Sequence, residues 1–325
     1  MKKTAMVLIS IVTWVLSSTI SPSLAQDNYP TRPIRILVGT TPGASQDIIG
    51  RLLAQKLAAQ MGANAIVDNK AGASGVLANE IVVAARPDGH TLLFNASSIV
   101  LSSALGQPRS YDVFKDFTPV SLVVSVPLAL IVYAGVPANT VAEFIAYAKA
   151  NPDKLAFGST GPGGIAHLGP LLFLQAHGLT ALHVPYKGTP ELMVDLIAGR
   201  VQFRFGVMTG VVPLVKEKRI KVLAMTGLKH TPLMPEVPTL SESGMPGFEI
   251  GNWFGMLAPA KTPPAIVKRI NVEIARALQD ADAKSRLAQE NAEPVGSTPE
   301  EYGAYMRSES VRWTKVVKSA GVKLQ

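Results

Sequence analysis

Short apolar runs alternate with helical patterns along almost the whole chain of 325 residues. The predicted strands are Ile34–Val38, Ala65–Val67, Thr91–Phe94, Leu155–Phe157, Ala181–Val184, Val201–Phe205 and Lys221–Met225. The predicted helices are Gln46–Met61, Gly75–Ala85, Val141–Ala150, Ile165–Ala176, Leu192–Ile197, Pro264–Leu278 and a last helix from Pro299, opened by a Thr298/Glu301 capping box. Strands that alternate with helices favour α/β layers with largely parallel sheets.

Two extended stretches interrupt this alternation. Residues 117–136 hold two apolar runs with no helix between them, and residues 248–257 form a second extended stretch. Two chain crossings of this kind are expected of hinge strands between two lobes. We therefore predict lobe one at 28–125 plus 252–325, and lobe two at 126–251.

The N-terminus and the composition narrow the class of protein. Lys2 and Lys3 precede an apolar run, and Ser23-Leu24-Ala25 forms a small-x-small cleavage site, so residues 1–25 are predicted to be a secretory signal peptide. The chain has no cysteine, which excludes disulfides and thiol chemistry. Its net charge of +8 is scattered, which argues against nucleic acid as a partner and favours anionic small molecules.

The same local pattern occurs once in each predicted lobe. In 37-LVGTTPGASQDIIGRLLAQKL-57 and in 155-LAFGSTGPGGIAHLGPLLFLQ-175, a strand ends in a Gly-rich loop and a helix follows. Parallel sheets bind ligands outside the carboxyl ends of their strands. Two facing lobes would bring both loops to one cleft, where backbone N–H groups and positive helix ends favour an anion.

Catalytic and cofactor motifs are weaker. Neither loop has the P-loop or Gly-x-Gly-x-x-Gly pattern, so no nucleotide cofactor is predicted, and no metal motif occurs. A serine-hydrolase turn at Gly43–Asp47 would place the nucleophile at Ser45, but Asp47 replaces the final glycine and no histidine follows His230. An exported hydrolase that uses Ser45 or Ser159 stays an alternative, and it requires a histidine beside its serine.

Four polar side chains have two readings each. Ser45 is either a helix N-cap or a ligand donor. Asp47 either complements the helix dipole, or it orders the loop or accepts a hydrogen bond from a ligand. His167 either reaches a ligand or packs internally. Arg204 suits carboxylate recognition but would also fit a solvated sheet face.

Several stretches together resemble one family. They are 29-YPTRPIRILVGTTPGASQD-47, 68-DNKAGASGVLANEIVVAARPDGHTLLF-94, 116-DFTPVSLV-123, 155-LAFGSTGPGGIAHL-168, 182-LHVPYKGTPELMVDLIAGRV-201, 234-MPEVPTLSESGMPGFE-249 and 298-TPEEYGAYM-306. The chain from residue 26 onward resembles, over nearly its whole length, the tripartite tricarboxylate transporter receptors, or Bug family, of extracytoplasmic solute-binding proteins.

The resemblance implies a two-lobe α/β Venus-flytrap fold with a hinge of two crossing strands, a periplasmic location and no catalysis. It also implies a small carboxylate ligand and membrane transporter subunits as partners. A monomer is the default expectation for a periplasmic binding protein, and no cofactor is predicted. Transport is the expected role, with ligand sensing as an alternative on the same fold. The ligand-binding residues carried over are Thr41, Pro42, Gly43, Ala44, Ser45, Asp47, Asn95, Ser97, Ser159, Thr160, Gly163, Gly164, His167, Gly188 and Thr189.

Two departures from the family pattern bear on the ligand. The family usually has Phe-Ala-Pro-Gly-Gly where this chain reads Thr-Thr-Pro-Gly-Ala at 40–44, so Thr41 is expected to remove an aromatic wall and add a hydroxyl. Family members often carry an acidic residue near Gly206, whereas here Arg204 lies close by. Both departures favour a larger or more anionic ligand, a di- or aromatic carboxylate, and we expect Arg204 or a loop donor to hold a second carboxylate.

Overall fold

A computed structural model describes residues 29–106, 109–152 and 154–320, so the predicted signal peptide lies outside the described residues. The described strands are β1 Ile34–Val38, β2 Ala65–Asn69, β3 Thr91–Ala96, β4 Phe117–Pro127, β5 Ala129–Tyr133, β6 Ala156–Ser159, β7 Leu182–Pro185, β8 Phe203–Gly206, β9 Ile220–Met225, β10 Gly251–Pro259 and β11 Glu293–Pro294. The described helices are α1 Ser45–Met61, α2 Val76–Val83, α3 Ser98–Ala104, α4 Val141–Ala150, α5 Ile165–Ala176, α6 Thr189–Ile197, α7 Val211–Lys216, α8 Pro264–Gln279, α9 Ala281–Gln289 and α10 Pro299–Ala320. In this part of the chain no helix is long and apolar enough to cross a membrane.

The strands form two sheets. The first has the order β11-β4-β10-β3-β1-β2, and the second has the order β7-β6-β8-β5-β9. Among the described strands, parallel pairing occurs within β3-β1-β2 in the first sheet and within β7-β6-β8 in the second. The prediction of largely parallel sheets is therefore wrong: both sheets are mixed, because the strands of the two chain crossings pair antiparallel with their neighbours.

Two neighbouring crossings join the sheets. The chain passes from β4 in the first sheet to β5 in the second through Leu128, and it returns through residues 226–250 to β10. Gly251 on the returning strand pairs with Pro127 at the end of β4. The buried Thr226 connects the two crossings, since its N–H donates to Leu128 O (2.9 Å) and its carbonyl accepts from Ile250 N (2.9 Å).

The predicted long helices and the two predicted extended crossings are present in the structure. The predicted capping box is confirmed, because Glu301 N donates to Thr298 Oγ1 (3.2 Å) and Thr298 N donates to Glu301 Oε2 (2.9 Å). Four short elements were missed: α3, α7, α9 and β11. The first two have too few turns to show a helical period, and α9 buries only Ala283 and Leu287.

The last helix supports the wall of the cleft between the sheets. Tyr302 on α10 is fully buried, and its hydroxyl donates to Asn95 Oδ1 at 2.8 Å. A Cβ at residue 255 would lie 2.2 Å from the Tyr302 hydroxyl oxygen, so Gly255 on β10 leaves the space that this ring needs. Asn95, at the end of β3, is thereby fixed by a residue more than 200 positions away.

We expect Tyr302→Phe to lower the free energy of unfolding by about 1–2 kcal/mol, because the buried Asn95 oxygen loses its donor. Urea unfolding of the wild type and the variant measures this difference. An unchanged free energy of unfolding would show that the Tyr302–Asn95 hydrogen bond does not stabilise the fold.

Candidate functional site

A cavity of about 310 Å³ lies between the two sheets. It is lined at the carboxyl ends of five strands: by Gly39 after β1, by Ala96 at the end of β3, by Thr160 after β6, by Pro185 at the end of β7 and by Gly206 at the end of β8. This is the place where α/β sheets bind ligands. The volume lies near the lower limit of the ~300–1,000 Å³ typical of small-molecule sites.

Four helices of eight or more residues begin at this cavity without a side-chain cap. Their N-cap residues are Ala44 (α1), Gly75 (α2), Gly164 (α5) and Gly188 (α6), and all four line the cavity. Because the first N–H groups of a helix have no intrahelical acceptor, these ends present free donors and a positive dipole end. Such ends are suited to binding an anion.

Three of the helices that begin elsewhere are capped by a side chain. Thr140 caps α4, Asp280 caps α9 and Thr298 caps α10. Uncapped starts also occur away from the cavity, at α7 after Gly210 and at α8 after Pro263, so the cavity is distinguished by the convergence of four such ends. Small N-cap residues there leave the backbone N–H groups open to a ligand.

The charged side chains that line the cavity are cationic. Among the described lining residues these are Lys187 and Arg204, and no Asp or Glu is present. Arg204 is only 2% exposed, and its Nε and Nη1 have no hydrogen-bond partner. The solvated alternative for Arg204 is wrong, because the side chain is buried and β8 is a central strand between β6 and β5.

Two hydroxyls at the cavity also lack partners. Thr40 Oγ1 and Ser45 Oγ are buried and unpaired, and both residues line the cavity. Ser45 is the first helical residue of α1, whose N-cap is Ala44, so the N-cap alternative for Ser45 is wrong. Buried polar atoms are normally paired, and unpaired ones that surround a cavity are candidates for ligand contacts.

Nine of the residues predicted to bind ligand line the cavity. They are Ala44, Ser45, Asn95, Ser97, Thr160, Gly164, Gly188, Thr189 and Arg204. The other seven are not among its lining residues: Thr41, Pro42, Gly43, Asp47, Ser159, Gly163 and His167.

Asp47 orders the first loop from behind. Its carboxylate accepts from Gly43 N (3.0 Å), Asn69 Nδ2 (2.9 Å) and Arg51 Nε (3.0 Å). Burial raises the pKa of Asp47, but these hydrogen bonds outweigh that effect and hold the pKa below its usual value. The negative charge is thus neutralised within the loop and does not face the ligand space.

Thr41 contacts the opposite lobe instead of the ligand space. A Cβ at Gly188 would lie only 2.1 Å from Thr41 Oγ1, so glycine there allows the two loops to touch. Thr40, and not Thr41, is the threonine that lines the cavity, so a ligand contact of the Thr41 hydroxyl stays a prediction. A second contact joins the two sides, because Ser74 Oγ donates to Pro162 O at 2.8 Å.

The third loop of the cavity was missed. Gly72, Ser74 and Gly75, between β2 and α2, line it beside the first loop. A Cβ at Gly39 would lie 2.7 Å from Gly75 Cα, so this close approach requires glycine. The Gly-rich segment between a strand and a helix at 72–75 was a signal for this third junction.

The predicted hydrolase chemistry can be tested on its two serines. Ser159 Oγ lies 2.6 Å from His183 Nε2, but Ser159 is 0% exposed and is not a lining residue. Ser45 lines the cavity, but its hydroxyl has no hydrogen-bond partner and hence no base beside it. Neither serine combines access to the cavity with a neighbouring histidine, as a nucleophile requires.

His167 packs behind the second loop. Its ring stacks on His183 with a centroid distance of 4.0 Å, and its Nδ1 accepts from Gly163 N at 3.2 Å. Burial, with a smaller effect of His183, lowers the pKa of His167 to about 4. The neutral ring therefore acts as an acceptor that fixes the loop at Gly163.

The burial of His167 predicts that the folded protein loses stability in acid. An unfolded histidine titrates near 6.5, so below that pH the unfolded chain binds the proton more readily than the folded one. Stability is therefore unaffected by His167 above about pH 6.5 and is lost as the pH falls toward about 4. In His167→Asn the side-chain oxygen can still accept from Gly163, but the titrating ring is gone. We expect the free energy of unfolding of the wild type to fall between about pH 7 and pH 4.5 by about 1–3 kcal/mol more than that of the variant. Urea unfolding at both pH values tests this, and equal losses in the two proteins would contradict it.

The sequence matches known proteins over nearly its whole length. The family model described as the tripartite tricarboxylate transporter family receptor matches residues 49–322. A UPF0065 protein of Pseudomonas sp. strain P51, from a tcbD-tcbE intergenic region, is 35% identical over 305 residues, which is 93% of this chain and 91% of the relative. Protein BugT of Bordetella pertussis is 34% identical over 314 residues, 96% of each chain.

Solved structures match the fold equally well. The periplasmic binding protein BugD superposes with a TM-score of 0.87 at 32% identity, over 91% of this chain and all (100%) of that one. Rpa4515 of Rhodopseudomonas palustris with adipate gives 0.87 at 34% identity, over 91% and 99% of the two chains. MatC of the same organism with bound malate gives 0.83 at 31% identity, over 89% and 100%.

These matches confirm the predicted two-lobe periplasmic-binding-protein fold. The chain belongs to the tripartite tricarboxylate transporter receptor family of solute-binding proteins.

Proposed function

We propose that this protein binds a small organic carboxylate in the cavity between its lobes and delivers it to a membrane transporter. The observation that carries the proposal is the convergence of four uncapped helix N-termini on a cavity lined by cationic and not acidic side chains. Each helix end offers N–H donors and about half a positive charge. A carboxylate can accept from both lobes at once, which stabilises the closed arrangement.

Observations on this chain and on similar solved structures indicate the class of ligand. Rpa4515 was solved with adipate and MatC with malate, and both ligands are dicarboxylates. In this chain the junction loops and Arg204 surround a cavity of about 310 Å³. A di- or aromatic carboxylate is the ligand class that we propose here, with the sixteen predicted residues as contacts or supports of the loops.

Closure of the lobes would link binding to delivery. We infer that residues 28–125 with 252–325 and residues 126–251 move as two bodies about the Leu128 and Thr226 crossings. Ligand bound between them favours the closed state because only that state offers donors from both sides. A membrane transporter would then recognise the closed form, with the protein acting as a monomer in the periplasm. A sensor would share this mechanism, and uptake assays in cells that lack the protein separate the two roles.

Carboxylate binding predicts a thermal shift. We expect the melting temperature of the purified protein to rise with one class among mono-, di-, tri- and aromatic carboxylates, because a ligand specific for the native state stabilises it by about 2.7 kcal/mol at a hundredfold excess over Kd. Methyl esters of the same acids are the uncharged controls, and mass spectrometry should recover the ligand unchanged. A panel without any rise would overturn carboxylate binding, and hydrolysis of the ligand would favour the exported hydrolase.

The contact between Ser74 and Pro162 predicts an effect on ligand release. We expect Ser74→Ala to weaken carboxylate affinity about 3- to 10-fold, mainly through faster dissociation, because one net hydrogen bond across the cleft is lost. Calorimetry and stopped-flow release measure this. Ser243→Ala, which removes a hydrogen bond of 2.7 Å to Thr239 O within one lobe, is the matched control. Equal dissociation rates in the two variants would show that Ser74 does not hold the lobes together.

A further inference from the structure

Arg204 is a buried cation that forms no ion pair with any acidic residue in the described part of the chain. The side chain is 98% buried, given its 2% exposure, and both Nε and Nη1 lack a hydrogen-bond partner. Burial lowers the pKa of its guanidinium to about 10, so the group is still charged at neutral pH. An isolated buried charge is unfavourable, and an anion that enters the cavity removes this penalty.

Among the residues that the structure describes, no acidic side chain pairs with Arg204, and burial alone lowers the pKa of its guanidinium. Its direct strand partner is Ile131 on β5, and its neighbours along β8 are Phe203 and Phe205. The other charged residue among the described cavity-lining residues is Lys187, which is also cationic. Asp47, the acidic residue predicted to bind ligand, is engaged by Gly43, Asn69 and Arg51 in the opposite lobe. The counter-charge must therefore come from the ligand.

Gly206 makes room for the guanidinium. Residues 204 and 206 lie on the same face of β8, since side chains alternate along a strand. A Cβ built on Gly206 would lie 2.0 Å from Arg204 Nη2 and 2.2 Å from Nε. Arg204 therefore lies directly over residue 206, and glycine is the residue that permits this position. The two residues act as one unit at the cavity wall.

This unit is separate from the helix N-termini. The uncapped ends lie in loops after β1, β2, β6 and β7, whereas Arg204 lies within β8, two residues before the strand ends. One ligand carboxylate can occupy the converging helix ends while a second anionic group reaches the wall of the second lobe. The site then has two anion-binding positions of different construction, one from backbone and one from a side chain.

We propose that Arg204, positioned by Gly206, binds the second carboxylate of a dicarboxylate ligand and sets the preference for dicarboxylates over monocarboxylates. The inference rests on the proposed function, because it assigns a second anionic position within the same site. It specifies the ligand as a dianion and assigns this selectivity to one residue pair on β8.

Matched ligand pairs test this selectivity. Linear dicarboxylates of about four to seven carbons and their monomethyl esters differ in one charge, and calorimetry at constant pH and salt gives the affinity ratio of each pair. We expect the wild type to bind the best dicarboxylate about 10- to 100-fold more tightly than its half-ester, as a charged hydrogen bond predicts. In Arg204→Gln the ratio should fall below about threefold, with half-ester affinity nearly unchanged.

Two further variants separate charge from position. Gly206→Ala keeps the arginine but displaces its guanidinium, so the ratio should fall there too. Arg219→Gln removes an exposed arginine that does not line the cavity, and it should keep the wild-type ratio. Without ligand, Arg204→Gln should unfold at the same or a higher temperature than the wild type, because a buried unpaired charge is gone.

The outcomes separate this inference from the proposed function. A wild type that binds half-esters as tightly as dicarboxylates, or an Arg204→Gln variant that keeps the wild-type ratio, overturns the inference and leaves carboxylate binding intact. Loss of both ligands in Arg204→Gln, with the wild-type ratio kept in Gly206→Ala, also overturns it. A wild type that binds no carboxylate overturns both.

Discussion

The hydrogen bonds of Thr226 to the two chain crossings hold the rest of the site in place. Thr226 pairs with Leu128 on the outgoing crossing and with Ile250 on the return. Because the crossings run side by side, the parallel strands of both sheets end at the same cavity. Each lobe alone would present only isolated helix ends at its surface. The convergence of these ends, and with it the anion site, follows from the geometry of the hinge.

A site made of helix N-termini depends on backbone N–H groups and small residues more than on charged or reactive side chains. Ala44, Gly75, Gly164 and Gly188 contribute donors by leaving N–H groups uncovered. Such a site recognises a carboxylate with little regard to the remainder of the molecule, which suits a fold whose neighbours were solved with ligands as different as adipate and malate. Discrimination among ligands then falls to the few side chains that point into the cavity.

Local patterns predicted the part of this protein that local physics determines. The strand–loop–helix junctions, the long amphipathic helices and the Thr298 capping box follow from neighbouring residues, and the structure contains them. Three other features depend on residues far apart in the chain. They are the antiparallel pairing of the crossings, the presence of Thr40 and not Thr41 at the cavity, and the burial of Arg204. A single sequence gives the identity of these residues, but it does not show which way their side chains point in the folded protein.

Two buried charges near the cavity show how the orientation of side chains affects which ligands the site favours. Asp47 and Arg204 are both almost fully buried, and in the sequence each could have faced a ligand. The fold gives Asp47 three donors within its own lobe, which cancels its charge locally, and gives Arg204 no acceptor for Nε or Nη1. Electrostatic interactions are strong in a buried, weakly screened site. An unbalanced cation there favours anions and disfavours cations, so the proposed anion selectivity would arise because the protein neutralises Asp47 and leaves Arg204 unpaired.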